Sequence, residues 1–169
     1  MAGISTGRIW ILPDDVDTDV ILAVKDFLNT PEERSKHCLE NLVPNFAKEA
    51  KRGDVIVGGK NFGCGSSREF APEAIYYCGV TCIVAKSFSR IFYRNAINIG
   101  IALVENSDIQ EHCADGDPIT VNYESRTIEV KGKIYHMPKV PRHLEDIFNA
   151  GGLVNYHSKR NALMKECEK

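Results

Sequence analysis

Between residues 54 and 104 the chain alternates short, almost continuous apolar runs with longer amphipathic ones. Asp54-Val55-Ile56-Val57 closes on Gly58-Gly59, residues 80–85 are β-branched and small, and Ile101-Ala102-Leu103-Val104 follows directly on Gly100. Apolar runs this short, ending at glycine, suit strands buried on both faces. The segments between them have helical character. One starts in the segment 66–69 and runs through Tyr77 to a stop at Cys78-Gly79; the other spans 88–99 and stops at Gly100. Strands alternating with helices restrict the fold to a parallel or mixed sheet covered by helices.

The period changes further on. Residues 119–121, 127–130 and 134–137 alternate polar and apolar, with Glu124-Ser125 and Lys131-Gly132 as turn signals, which predicts a small antiparallel meander. Residues 142–150 return to a helical pattern that stops at Gly151-Gly152, and the polar remainder reads as a frayed end. Upstream, Arg8-Ile9-Trp10-Ile11-Leu12 is a short strand stopped by Pro13, and Thr30-Pro31-Glu32-Glu33 is a helix start with a capping Thr and Pro in the first turn. No linker divides the chain. The reading is one α/β domain over residues 1–169, a mixed or parallel sheet flanked by helices and carrying a small β-meander.

Composition excludes several function classes. Lys and Arg total 21 against 23 Asp and Glu, a formal net charge of -2, so no field favours a polyanion such as nucleic acid. No run approaches the ~20 apolar residues of a membrane span, and the first residues lack the charged-then-apolar pattern of a signal peptide. A cytoplasmic protein is expected. Six cysteines at irregular spacing in a chain long enough to bury its own core read as free thiols.

The segment with chemical content is Asn61-Phe62-Gly63-Cys64-Gly65-Ser66-Ser67-Arg68-Glu69, between a strand and a helix. Gly63 and Gly65 let the backbone approach a ligand closely. A helix start offers unpaired N–H groups and the positive end of a dipole, and Arg68 offers a planar fork for a carboxylate. Together they make an anion site with two serine hydroxyls inside it. The run Ser66 to Glu69 also fits a capping box, in which Ser66 only closes the helix start. No Gly-Lys-Ser/Thr follows, and Arg68 stands where a dinucleotide fingerprint needs its third glycine, so a nucleotide site is disfavoured. The loop Asp14-Asp15-Val16-Asp17-Thr18-Asp19 is rich in carboxylates but lacks calcium-loop spacing, and the cysteines and histidines lack metal-ligand spacing; no metal site is assigned.

Four segments in the same order resemble the small-subunit family of 3-isopropylmalate dehydratase, the detached swivel domain of the aconitase superfamily. They are Asp14 to Asp19, Asn61 to Glu69, the run Ala85-Lys86-Ser87-Phe88-Ser89-Arg90-Ile91-Phe92-Tyr93-Arg94-Asn95, and Gly151-Gly152-Leu153-Val154-Asn155-Tyr156. The resemblance implies a swivel-type fold and a hydro-lyase that works by dehydration and rehydration. It implies that Ser66 is the base, that Ser67 and Arg68 bind a substrate carboxylate, and that Asp17, Thr18 and Asp19, with Gly63 and Gly65, organise the pocket. It places the [4Fe-4S] cluster on a large-subunit partner, with no cofactor in this chain.

Substrate choice rests on Asp26-Phe27-Leu28-Asn29-Thr30. Relatives acting on homoaconitate carry an Arg where this chain has Asn29. Asn29 brings no positive charge for a further carboxylate, so a branched, apolar hydroxy-dicarboxylate is favoured and Phe27, Leu28, Asn29 and Thr30 are its expected contacts. Phe27 stands where the family usually has Tyr. A related dehydratase small subunit (2,3-dimethylmalate or homoaconitate-type) and a non-catalytic carboxylate-binding regulatory subunit remain as alternatives.

Overall fold

The computed structural model describes residues 3–23, 25 and 30–167. In chain order the elements are β1 (Ile4–Ile11), α1 (Thr18–Ile21), α2 (Pro31–Ser35), α3 (Phe46–Glu49), β2 (Val55–Gly58), α4 (Phe70–Tyr77), β3 (Cys82–Ala85), α5 (Arg90–Ile99), β4 (Ala102–Glu105), α6 (Ile109–His112), β5 (Pro118–Asn122), β6 (Thr127–Val130), β7 (Lys133–His136), α7 (Arg142–Ala150) and α8 (Leu153–Cys167). The strands form one mixed sheet in the order β4-β3-β2-β1-β5-β6-β7.

β1 joins the two halves of that sheet. Its second half pairs in parallel with β2, Ile9 opposite Val55 and Ile11 opposite Val57. Its first half pairs antiparallel with β5, from Ile4 opposite Asn122 to Arg8 opposite Pro118. β2, β3 and β4 continue the parallel half, and β5, β6 and β7 form the expected meander. β1 begins four residues earlier than its apolar run predicts. The stretch Ser5-Thr6-Gly7 has no strand pattern of its own and is held by the β5 ladder.

Alternate residues of the parallel strands enter opposite cores, as the period of two requires. Trp10, Ile56 and Ile83 pack with Ile21, Ile75, Phe92 and Ile147 from the helices on one face. Ile9, Val55, Val57 and Val84 pack with Ile119, Val121, Ile128 and Tyr135, so the antiparallel half curls over the other face. β2 and β3 are therefore buried at every residue, which is why they read as unbroken apolar runs.

Asp54 locks β1 onto the turn before β2. It is buried and accepts hydrogen bonds from the Arg8 N–H at 3.0 Å, the Trp10 indole N–H at 3.0 Å and the Lys51 N–H at 3.1 Å. A carboxylate that meets this many donors satisfies the rule that buried charge is paired.

Two helix expectations are corrected. Residues beyond Gly152 form a 15-residue helix, α8, in place of a frayed end. Gly151 ends α7 in the left-handed region at φ 80°, and α8 is started by the Tyr156 N–H to Gly152 carbonyl bond and by Leu153 and Tyr156 packing on the core. The second correction concerns α4, which begins at Phe70 with Glu69 as its cap residue and no side-chain cap bond. Pro72 explains it. Proline is tolerated in a first turn but would break a helix begun at Ser66.

Candidate active site

β1, β2 and β3 run parallel, so the loops leaving their carboxyl ends gather on one side of the sheet. The loop after β2 lies between the other two and is paired to both like a continued strand. Isolated bridges join Asp17 to Cys64 and Phe62 to Phe88, both parallel. On one side the Gly63 N–H donates to the Val16 carbonyl at 2.8 Å and the Thr18 N–H to the Cys64 carbonyl at 2.9 Å. On the other, the Phe62 N–H donates to the Ser87 carbonyl at 2.9 Å and the Ser89 hydroxyl to the Gly63 carbonyl at 2.6 Å. Irregular backbone is thereby fixed almost as a sheet would fix it.

Both glycines of the loop are required by geometry. Gly63 has φ 75°, and a Cβ there would lie 2.1 Å from the Phe92 ring. Gly65 has φ 91°, and a Cβ there would lie 2.2 Å from an Asp17 carboxylate oxygen. Asp15 and Asn61 also adopt φ 54°, a region that Asp and Asn tolerate better than most residues. They hold each other, the Asn61 amide donating to Asp15 Oδ1 at 2.8 Å. Asp14 accepts from the Lys60 N–H at 2.7 Å. Asp14, Asp15, Asn61, Ser87 and Ser89 are thus part of the scaffold. Only Ser89 carried a clear sequence signal, as the residue that caps α5 by accepting from the Phe92 N–H.

Ser66 is exposed at the crest of this loop, four residues before α4. It does not cap a helix. The capping-box spacing is present in the sequence but not in the fold, because Thr18 binds Ser66. The Ser66 N–H donates to Thr18 Oγ1 at 3.2 Å, and the two hydroxyl oxygens are 3.3 Å apart. Thr18 itself is 1% exposed and begins α1, whose cap Asp17 accepts the Asp19 N–H at 2.7 Å. The support of the serine oxygen is a threonine hydroxyl in place of a helix dipole.

Ser67 is exposed beside Ser66, and Arg68 turns back to an ion pair with Asp19. Asp17, Thr18, Asp19, Gly63, Gly65, Ser66, Ser67 and Arg68 therefore stand together on the two interlocked loops. Thr30 is engaged elsewhere: its hydroxyl accepts the Glu33 N–H and its own N–H donates to the Glu33 carboxylate, the capping box of α2. Phe27, Leu28 and Asn29 lie outside the described residues.

Burial first, then the Asp17 and Asp15 carboxylates, push the Cys64 thiol above the ordinary range. Cys82, inside the second core, is pushed up to about 12 by burial. Among the described residues no group of three or more His, Cys, Asp or Glu side chains stands together to hold a metal ion. Among the described residues the thiols do not gather into the set of grouped thiolates that an iron–sulfur cluster needs. No described helix is long and apolar enough to cross a membrane. A cavity of about 300 Å³ lies between β4, the β5–β6 turn and α7, lined by Leu103, Tyr123, Arg126, Leu144 and Phe148 among others, and none of its residues belongs to the serine-bearing loops.

The family model of the aconitase C-terminal domain matches residues 24–108, which hold β2, β3 and β4 and the loop with the exposed Ser66 and Ser67. The relatives narrow this. A protein of Aquifex aeolicus named 3-isopropylmalate dehydratase small subunit is 50% identical over 161 residues, 92% of this chain and 95% of that one. A protein of Methanocaldococcus jannaschii named isopropylmalate/citramalate isomerase small subunit is 44% identical over 165 residues, 96% of this chain and 98% of its own length. A crystal structure of 3-isopropylmalate dehydratase from Methanocaldococcus jannaschii matches with a TM-score of 0.88 at 43% identity, covering 96% of this chain and 98% of that chain. The chain belongs to the family of 3-isopropylmalate dehydratase small subunits.

Proposed function

We propose that the chain is the small subunit of a two-chain hydro-lyase that interconverts 2-isopropylmalate and 3-isopropylmalate in leucine biosynthesis, and that Ser66 is its base. The observation that carries the assignment of Ser66 is its hydroxyl held 3.3 Å from that of the buried Thr18, on a loop exposed at its crest. A proton on carbon next to a carboxylate is weakly acidic, and its removal adds negative charge to that carboxylate. Cationic and hydrogen-bonding groups must already be in place to receive it. Arg68 supplies the cation and Ser67 a hydroxyl donor. A serine oxygen becomes a base only where its negative charge is stabilised. Thr18 has one proton to give, and donating it to Ser66 Oγ favours the charged form of that oxygen.

Hydroxide is a poor leaving group and needs a Lewis acid. The donor set of this chain does not suit one, so the reading assigns it to the large subunit, as an iron–sulfur cluster. The Ser66→Ala variant, mixed with the large subunit, is expected to assemble normally and to lose turnover of 3-isopropylmalate by more than about a hundredfold. Near-normal turnover in that mixture contradicts the assignment. A smaller citramalate-type substrate is a second reading, favoured by the name of the Methanocaldococcus relative, an isopropylmalate/citramalate isomerase small subunit. Relative rates on the two acids decide between them.

A further inference from the structure

The cavity between β4, the β5–β6 turn and α7 is lined from both ends of the sheet. β4 is one end strand, and β7, which Met137 follows, is the other. Ile97, Leu103, Met137, Leu144 and Phe148 give it apolar walls, with the Tyr123 ring packed 5.0 Å from that of Phe148. A volume of about 300 Å³ admits one small molecule. Charge of both signs meets these walls. Arg126 and Glu145 line the cavity and form the ion pair that joins the turn to α7, and Glu124 adds a second carboxylate. Arg126 stands at φ 55°, a left-handed conformation that glycine adopts more readily, and its carbonyl accepts the Met137 N–H at 2.8 Å. The Arg126 and Glu145 side chains are 36% and 30% exposed, and an ion pair this wet contributes little to stability. A ligand that brings a partner for each charge opens it at small cost.

The lining selects among ligands. A dicarboxylate faces two carboxylates and one guanidinium, and a simple amine leaves that guanidinium without an anion. An apolar α-amino acid meets every group: its carboxylate takes the Arg126 fork, its ammonium donates to Glu145, and its side chain enters the apolar walls. We propose that this cavity is a binding site for a free apolar α-amino acid, separate from the serine-bearing loops. The inference does not depend on the role of Ser66.

The test is calorimetry on the purified full chain with L-leucine, L-valine and L-phenylalanine as probes. Dissociation constants below about 1 mM are expected, with no binding of glycine. N-acetyl-leucine lacks the cation and leucinamide the anion, so each is expected to bind at least about tenfold more weakly than leucine. Arg126→Gln is expected to weaken leucine by at least about tenfold and to leave leucinamide unchanged, and Glu145→Gln to do the same with N-acetyl-leucine as the unaffected probe. Ala102→Leu fills the cavity without changing its charge; it is expected to abolish binding and serves if the charge variants fail to fold. Ser66→Ala is expected to bind leucine as the parent does. No binding of any probe up to about 10 mM overturns the proposal. So does N-acetyl-leucine or leucinamide bound as tightly as leucine, or leucine binding unchanged in both charge variants, which leaves the ion pair as a bridge between turn and helix. Displacement of leucine by 3-isopropylmalate, or its loss in Ser66→Ala, also overturns it and places the amino acid on the serine loops.

Discussion

On the proposed reading of Ser66 as the base, its chemistry depends on Thr18. Thr18 is buried, its hydroxyl oxygen accepts the Ser66 N–H, and that oxygen lies 3.3 Å from the serine Oγ, within reach of a hydroxyl–hydroxyl bond. Thr18→Val keeps the shape and removes that hydroxyl. The expected result is a fall in kcat of about a hundredfold with little change in KM, and recovery in Thr18→Ser. An equal fall in Thr18→Ser points to packing instead. Cys64, two residues from Ser66, gives an independent reading of the local field. Burial and the Asp15 and Asp17 carboxylates raise its pKa, so its alkylation is expected to increase only above the ordinary thiol range near pH ~8.5, and Asp15→Asn is expected to move the profile to lower pH. Mass spectrometry of the Cys64 peptide reads the midpoint.

At the scale of elements, the site is a set of loops made rigid by pairing. Gly65→Ala forces a side chain against Asp17 at a backbone angle that L residues resist, at a cost of about 1–3 kcal/mol. The expected outcome is a lowered urea midpoint together with loss of turnover; full activity and parental stability would show that the loop has room to move. The parallel strands, α5 with its glycine stop, and the meander were legible in the sequence because each has its own period and punctuation. The start of α4 was misread because Ser66 and Glu69 have capping-box spacing, while the stronger local fact was Pro72. The first half of β1 was missed because the β5 ladder, a contact more than 100 residues away in the chain, decides it. At the site, Ser66, Ser67 and Arg68 stand out by residue type. Their supports, Asp15 and Asn61, do not, because a left-handed backbone and a side-chain bond between distant loops leave no pattern in a single sequence.

On the proposed reading, the whole molecule presents half of a reaction centre. In that reading Arg68 and the two serine hydroxyls bind a carboxylate and take a proton from the adjacent carbon, and among the described residues no group of three or more His, Cys, Asp or Glu stands together to hold the Lewis acid that a departing hydroxide needs. β1 carries this arrangement between two half-sheets, so the loops that matter extend from one rigid edge. The most direct test measures dehydration of 3-isopropylmalate by the purified chain alone, by the purified large subunit alone, and by the two titrated together. The account predicts no turnover from either component and a rise to a plateau as this chain is added to the other. Full turnover by the chain alone, or by the large subunit without it, would contradict it.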